Sequence, residues 1–203
     1  MAEAAATRSA ALALADERAL MRQGFQFLDE KRMLLAAEIL RALRAHDALE
    51  AQLLQRLRTA RDALQAALRR HGLEGLQAYP AAELEATAPA STRSRFLGVA
   101  LVSVVFDVPA DTRVDDGALD ASPEARACRA AFVAVLAPLV RLAASAANLE
   151  RLAAEYRRTE RRARALENVL LPEIEHALKA IDEHLELADQ EEAVRIRLAA
   201  HPA

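Results

Sequence analysis

Glu173 and His176 stand in a Glu-x-x-His spacing, by which one helix face can offer a carboxylate and an imidazole to a pair of iron ions. Such a centre needs a second motif of the same kind and two more glutamates on facing helices, and the sequence holds no second motif. The pair therefore reads as part of a solvated helix face. No Gly-x-x-x-x-Gly-Lys-Ser/Thr loop is present to cradle phosphates. No Cys/His set has zinc spacing, and no Gly-x-Ser-x-Gly elbow is present. Cys128 is the only cysteine and reads as a small buried hydrophobe, and His46 as a histidine at the edge of a core. What remains is charge. Lys31/Arg32 and Arg161/Arg162 are cationic clusters suited either to a solvated face or to acidic loops of a partner. The legible chemistry is recognition rather than catalysis, and neither a cofactor nor a metal is expected.

The elements that must carry these clusters are helices. Apolar residues make up 53 % of the 203, yet aromatics are only 3 % and Trp is absent, so a thick globular core is short of its usual large rings. Ala, Leu, Arg and Glu are all strong helix formers. A net charge of −3 provides no general attraction for nucleic acid or anionic lipid. A lone cysteine excludes a disulfide framework and suits a reducing cytoplasm. The Ala-rich N-terminus, broken by Asp16, Glu17 and Arg18, does not read as a signal peptide. No run of about 18 uncharged apolar residues occurs, so direct membrane insertion is not expected.

Three segments separate: 7–70, a helix; 71–122, a short helix and β-hairpin insert; and 123–200, a second helix. His71-Gly72 reads as a helix C-cap, and Pro123 stands in the first turn of the second helix. In the first helix Leu14, Met21, Leu28, Leu35, Ala42 and Leu49 repeat every seven residues beside Phe25, Ile39 and Leu53, after which the step changes to Leu57, Ala60 and Leu64. In the last, Phe132, Leu139, Ala146, Ala153, Ile174, Ile181 and Ala188 share one line, and Val135, Leu142, Leu149, Tyr156, Ala163, Leu170 and Ala177 the other. Two seams of this length predict an all-α-dominated fold, a long two-helix antiparallel coiled coil with the insert at its far end. At 1.5 Å per residue the helices would be roughly 95 and 115 Å long. Charge favours the antiparallel sense, with Asp182, Glu183, Glu186, Asp189, Glu191 and Glu192 beside Arg18, Arg22, Lys31 and Arg32. The arginines at 157, 158, 161, 162 and 164 would then lie nearer Glu38, Asp47 and Glu50. Pro172 removes one backbone hydrogen bond within the second helix and predicts a bend.

The insert contains one β-rich run, from Phe96 through Gly98, Val99, Leu101 and Val105 to Val108, apolar on both faces. A short helix is expected around Ala81–Ala86 and a turn at Asp116-Gly117. A lone hairpin is marginal in water, so either the coiled coil or a partner protein must cover it, and a partner surface is the preferred reading.

Thr159-Glu-Arg-Arg-Ala-Arg-Ala-Leu-Glu-Asn-Val-Leu-Leu-Pro172 resembles a run found in the D subunits of V-type and archaeal-type ATPases, through Arg161, Arg162, Ala165, Leu166, Glu167 and Pro172. Ala163 and Arg164 replace the family's usual Val-Asn. Gly24-Phe-Gln-Phe-Leu-Asp-Glu-Lys-Arg32 is similar to a second family run through Gly24, Leu28, Lys31 and Arg32. Thr7-Arg8 and the order Gly98-Val99…Pro109 also match. The resemblance implies a non-catalytic central rotor shaft, cytoplasmic and peripheral on the inner face of the plasma membrane. Its termini would enter the catalytic hexamer of A and B subunits, with Gly24, Leu28, Lys31, Arg32, Arg161, Arg162 and Glu167 as candidate contacts. The opposite end would meet the socket subunit over the membrane ring. The hairpin residues Phe96, Gly98, Val99, Leu101, Val105 and Pro109 would bind the small F subunit of the stalk. ATP hydrolysis or synthesis would thereby be coupled to proton or sodium movement. A coiled-coil stalk or adaptor of another machine, such as a flagellar or type III export ATPase, is the alternative, with the β-rich insert and the Arg-Arg…Leu-Glu…Pro run arguing against it.

Overall fold

The computed structural model describes residues 7–79, 88–107 and 122–200. The expected helix at 81–86, the Asp116-Gly117 turn and Pro109 lie outside them. Helix α1 spans Arg8–Gln77, strands β1 and β2 span Ala90–Phe96 and Val99–Val105, and helix α2 spans Pro123–Ala165. A π-helical turn, Leu166–Leu170, then leads into helix α3, Leu171–Ala200.

Helix ends follow local chemistry. Thr7 caps α1: its Oγ1 accepts the Ala10 N–H at 3.2 Å, and its carbonyl accepts the Ala11 N–H at 3.0 Å. Gly72 leaves helical geometry at φ 66°, ψ 178°, so the main run of α1 stops where the His71-Gly72 signal places it. The helical segment beyond it continues to Gln77, seven residues past the expected boundary. Ser122 caps α2, its Oγ accepting the Ala125 N–H at 3.1 Å, with Pro123 in the first position, where a missing N–H costs nothing. Pro138, inside α2, was not foreseen.

The chain divides into two units, Met1–Leu34 with Tyr156–Ala203, and Leu35–Glu155. In each, the N-terminal helix runs antiparallel to its C-terminal partner. In the first unit Arg8 pairs with Asp189 at 3.3 Å and Arg22 with Glu175 at 2.8 Å. In the second, His46 Nδ1 lies 3.2 Å from Ser145 Oγ, and His71 Nε2 lies 2.6 Å from Ser122 Oγ. The antiparallel sense agrees with the charge argument, but individual partners differ. Arg22 takes Glu175 rather than the acidic stretch beyond it, Asp189 takes Arg8, Arg32 takes Asp29 and Arg164 takes Glu160. Neighbours three or four residues along one helix are in reach at little entropic cost, so local ion pairs win over some cross-helix ones.

The seams also differ from the heptad reading. Leu35, Leu53, Ala60 and Ala67 are buried, so a seven-residue step continues past Leu53, while Leu57 is 41 % exposed. Phe132, Leu139 and Leu170 are exposed, and Leu152 and Thr159 occupy buried positions instead. The C-terminal helix is so rich in Ala, Leu and Val that more than one phase satisfies a seven-residue repeat. Leu53, Ala60 and Val135 form the core of the second unit, with Ala131 and Leu142 packed against them. In the first, burial steps through Thr159, Ala163 and half-buried Leu166, then half-buried Leu171, Ile174, Leu178 and Ile181. Every step is three or four except Leu166 to Leu171, which is five and coincides with the π turn.

By length and composition alone, Pro123–Ala200 is apolar enough to cross a membrane, its best 18-residue window reaching a mean hydropathy of 1.9. That window falls at 130–147, where Arg141 interrupts the apolar run and stops it from reading as an uncharged span.

Candidate functional site

The β-run read as one strand from Phe96 is a hairpin folded at Leu97-Gly98. Phe96 pairs with Val99 and Ala90 with Val105, so the polar segment Ala-Ser-Thr-Arg-Ser-Arg-Phe is the first strand. Leu97 and Gly98 both have positive φ, 48° and 90°, the geometry of a two-residue type I′ turn. Gly98 adopts it without strain, whereas a leucine there costs about 1–2 kcal/mol. Val99 is buried, Phe96 and Leu101 are half-buried and Val105 is 52 % exposed.

Backbone pairs in an antiparallel ladder alternate between hydrogen-bonded and open, so counting from the turn leaves the Val102–Arg93 pair open. The N–H and C=O of Val102 therefore point away from β1. The Asn148 carboxamide meets both: Oδ1 accepts the Val102 N–H at 2.9 Å, and Nδ2 donates to the Val102 carbonyl at 2.7 Å. Arg151 Nη1 donates to the same Oδ1 at 3.1 Å and orients the amide. Asn148 thus acts as a stub of third strand, fastening β2 to α2. Asparagine within a helix is a signal that sequence reading missed, since a mid-helix carboxamide is costly unless it bonds elsewhere. Beside it, an open cleft of about 430 Å³ is lined by Leu101, Val102, Val104, Arg41, Arg141 and Ser145 among others. Glu38, also in its wall, is hydrogen-bonded by Arg41, which holds the carboxyl below the usual carboxylate range while partial burial opposes the shift. The same contact raises Arg41. Burial pushes the Cys128 thiol up, as suits the packing role read for it.

The candidate hexamer contacts fall together in the other unit. A Cβ on Gly24 would lie 3.8 Å from Leu166 Cδ1, so α1 comes close to the π turn at this point. Leu28 and Lys31 are half-buried, and Arg32 is tied to Asp29. Arg161, Arg162 and Glu167 are exposed, Glu167 on the π turn itself, and Pro172 follows two residues after that turn. The Leu171 N–H donates to the Leu166 carbonyl five residues back, so one extra residue is accommodated just before the proline. Among the described residues, no group of His, Cys, Asp and Glu is arranged to hold a metal ion.

The profile of the ATP synthase D subunits matches residues 10–200. The V-type ATP synthase D subunit of Anaeromyxobacter dehalogenans (strain 2CP-C) is 33 % identical over 208 aligned residues, covering 100 % of this chain and 99 % of that protein. The V-type ATP synthase D subunit of Thermotoga neapolitana is 27 % identical, covering 95 % of each. The A-type ATP synthase D subunit of Methanopyrus kandleri is 28 % identical, covering 94 % of this chain and 83 % of that protein. A profile match over nearly the whole length, with relatives aligned end to end on two helices and a hairpin, places the chain in the family of ATP synthase D subunits.

Proposed function

We propose that this chain is the central rotor shaft of a V-type ATPase or ATP synthase, carrying no active site of its own. The supporting observation is the antiparallel pairing of α1 with the C-terminal helices, seen separately in both units, in a chain whose relatives are named as D subunits of such machines. In this reading the first unit enters the A/B hexamer, and Lys31, Arg32, Arg161, Arg162 and Glu167 meet its loops around Gly24 and Leu28. Charged side chains suit a shaft that must pass between three equivalent positions, because deep apolar pockets would trap it. The wide turn before Pro172 makes the surface there unequal on different sides, so each catalytic interface meets a different face. The hairpin region binds the small F subunit of the stalk, and the socket subunit links the shaft to the membrane ring. The complex then lies on the cytoplasmic face of the plasma membrane, with rotation moving protons or sodium ions.

The test is reconstitution of the complex with Arg161→Ala/Arg162→Ala. The contact predicts an intact complex whose ATP turnover and ion movement are uncoupled several-fold. Unchanged coupling removes these arginines from the contact. Failure of the wild-type chain to co-purify with A and B subunits sinks the shaft reading itself.

A further inference from the structure

We propose that the outer edge of β1 takes an extended acidic segment of another protein as the third strand of the sheet. The proposal rests on the partner role given to the hairpin above and is independent of the shaft reading.

Counting outward from the turn, Phe96–Val99, Ser94–Leu101 and Thr92–Ser103 are the hydrogen-bonded pairs, so Arg95–Ala100, Arg93–Val102 and Ser91–Val104 are open. Ser91, Arg93 and Arg95 therefore direct their N–H and C=O away from β2. The other edge of the sheet is held by Asn148 at Val102, so α2 lies on the β2 side and the β1 edge looks away from it. Among the described residues, no backbone group bonds the outward N–H and C=O of Ser91, Arg93 and Arg95. Residues 90–95 are exposed throughout. A bare edge is commonly blunted by proline, by a bulge or by brevity. Strand β1 holds no proline, runs for 7 residues and keeps an unbroken register with β2 from Ala90–Val105 to Phe96–Val99. Its outward groups alternate as the ladder of an added antiparallel strand requires.

Charge selects the occupant. Arg93 and Arg95 are the only charged residues in 90–105, and among the described residues neither is in an ion pair. They stand two apart, so both side chains leave the same face of the sheet. An added strand with Asp or Glu at alternate positions sets a carboxylate opposite each guanidinium, a cross-strand arrangement that favours pairing. Two β1 edges joined antiparallel in full register would instead set Arg93 opposite Arg93, and like charges directly opposite disfavour that assembly. The arginines thus guard the edge against a second copy while leaving it open to an acidic strand.

The experiment adds the peptide Thr-Glu-Val-Glu-Val-Glu-Thr to the full chain and follows amide hydrogen exchange by NMR. At saturation the Ser91, Arg93 and Arg95 amides should exchange about tenfold more slowly or better, while those of Ala100 and Val104 are unchanged. A peptide with lysine in place of glutamate should give no slowing. Nor should the acidic peptide N-methylated at its glutamates, which keeps the charge and loses the N–H groups that would face β1. Arg93→Glu/Arg95→Glu should exchange the preferences for the acidic and lysine peptides. In the organism of origin, a photoreactive amino acid at Ser91 of the full chain should crosslink a segment of another protein with Asp or Glu at alternate positions. No slowing, equal slowing by the lysine or N-methylated peptide, or a Ser91 crosslink to a second copy or to a segment without that pattern overturns the proposal. A crosslink from Val105 with none from Ser91 leaves the hairpin its partner and overturns the strand addition, whereas no crosslink from either site removes the partner role as well.

Discussion

The two helix pairs of this chain are held in different ways. In Met1–Leu34 with Tyr156–Ala203, a narrow apolar line is flanked by ion pairs open to water, with Arg8 and Asp189 at 77 % and 65 % side-chain exposure. In Leu35–Glu155, the helices share an apolar cluster and two His–Ser contacts, and an amide clamps a hairpin to α2 through backbone groups. Exposed ion pairs contribute about 0–1 kcal/mol each and relax readily. A half-buried backbone N–H and C=O accept few substitutes for the partner they have. The first arrangement leaves a charged exterior for others to touch, and the second specifies where an extra element sits.

The largest expected effect lies where a buried leucine of α1 opens the second unit. Leu35 is fully buried, so Leu35→Ala should cost about 2–5 kcal/mol in urea unfolding. Leu12 is 69 % exposed, and Leu12→Ala should stay within about 0.5 kcal/mol. Similar losses at both would mean that Leu12 is covered in solution. Next comes the clamp. Asn148→Leu leaves the outward N–H and C=O of Val102 without partners, costing about 1–3 kcal/mol. The Val102 amide should then exchange faster by hydrogen-exchange NMR while α1 amides keep their protection. Unchanged exchange would show that the hairpin stays in place by apolar contact alone.

How far these differences could be read beforehand depended on local uniqueness. Thr7, Gly72 and Pro123 each have a physical role that few other residues fill: Thr7 caps α1, Pro123 opens α2, and Gly72 interrupts the helical geometry of α1, which resumes as far as Gln77. The second strand was legible as β-branched and apolar. Its partner was not, because Ala-Ser-Thr-Arg-Ser-Arg-Phe has neither alternation nor bulk, and because leucine at positive φ is a rare turn former. Phe132 and Leu139 satisfied a heptad as well as Leu152 and Thr159 did, so only packing could choose the phase. Gly24, Leu166 and Pro172 were singled out one by one. The π turn that relates them was hidden by the assumption that threes and fours alternate without interruption.

Smaller effects separate the units by salt and acid. Arg22→Ala should cost no more than about 1 kcal/mol, and the loss should vanish in 1 M salt, where screening removes what an exposed pair contributes. Glu38, whose carboxyl Arg41 holds below its ordinary range, adds stability that is complete above that range and is lost as pH falls from there through the lowered folded value. Arg41→Ala should therefore flatten the acid limb of the stability curve, and a parallel downward shift with no change of shape would assign Glu38 no part in it.

The smallest net change is expected where the chain carries its extra residue, and it distinguishes two causes of the π turn. Pro172 lacks an N–H, and its ring would press on the Asn168 carbonyl in a regular helix. Independently, the five-residue step from Leu166 to Leu171 keeps Ile174, Leu178 and Ile181 facing inward. If the proline were the sole cause, Pro172→Ala would let the turn collapse to α. That collapse would rotate everything beyond it by about 100° and pull three buried side chains out of the seam, at roughly 1.5–3 kcal/mol each. The seam should therefore hold the π turn in Pro172→Ala. Deleting Val169, which is 50 % exposed, in that same variant removes the surplus residue, so a regular helix then satisfies the seam and stability should change by no more than about 1 kcal/mol. The comparable deletion of exposed Ala143 from the other unit has no surplus to absorb it and should destabilise that helix pair by several times as much. Carbon chemical shifts across 164–172, read beside the urea midpoints, check both. Collapse of the turn in Pro172→Ala would mean that the proline alone dictates it, and equal losses from the two deletions would mean that Leu166–Leu170 holds no residue the seam can spare.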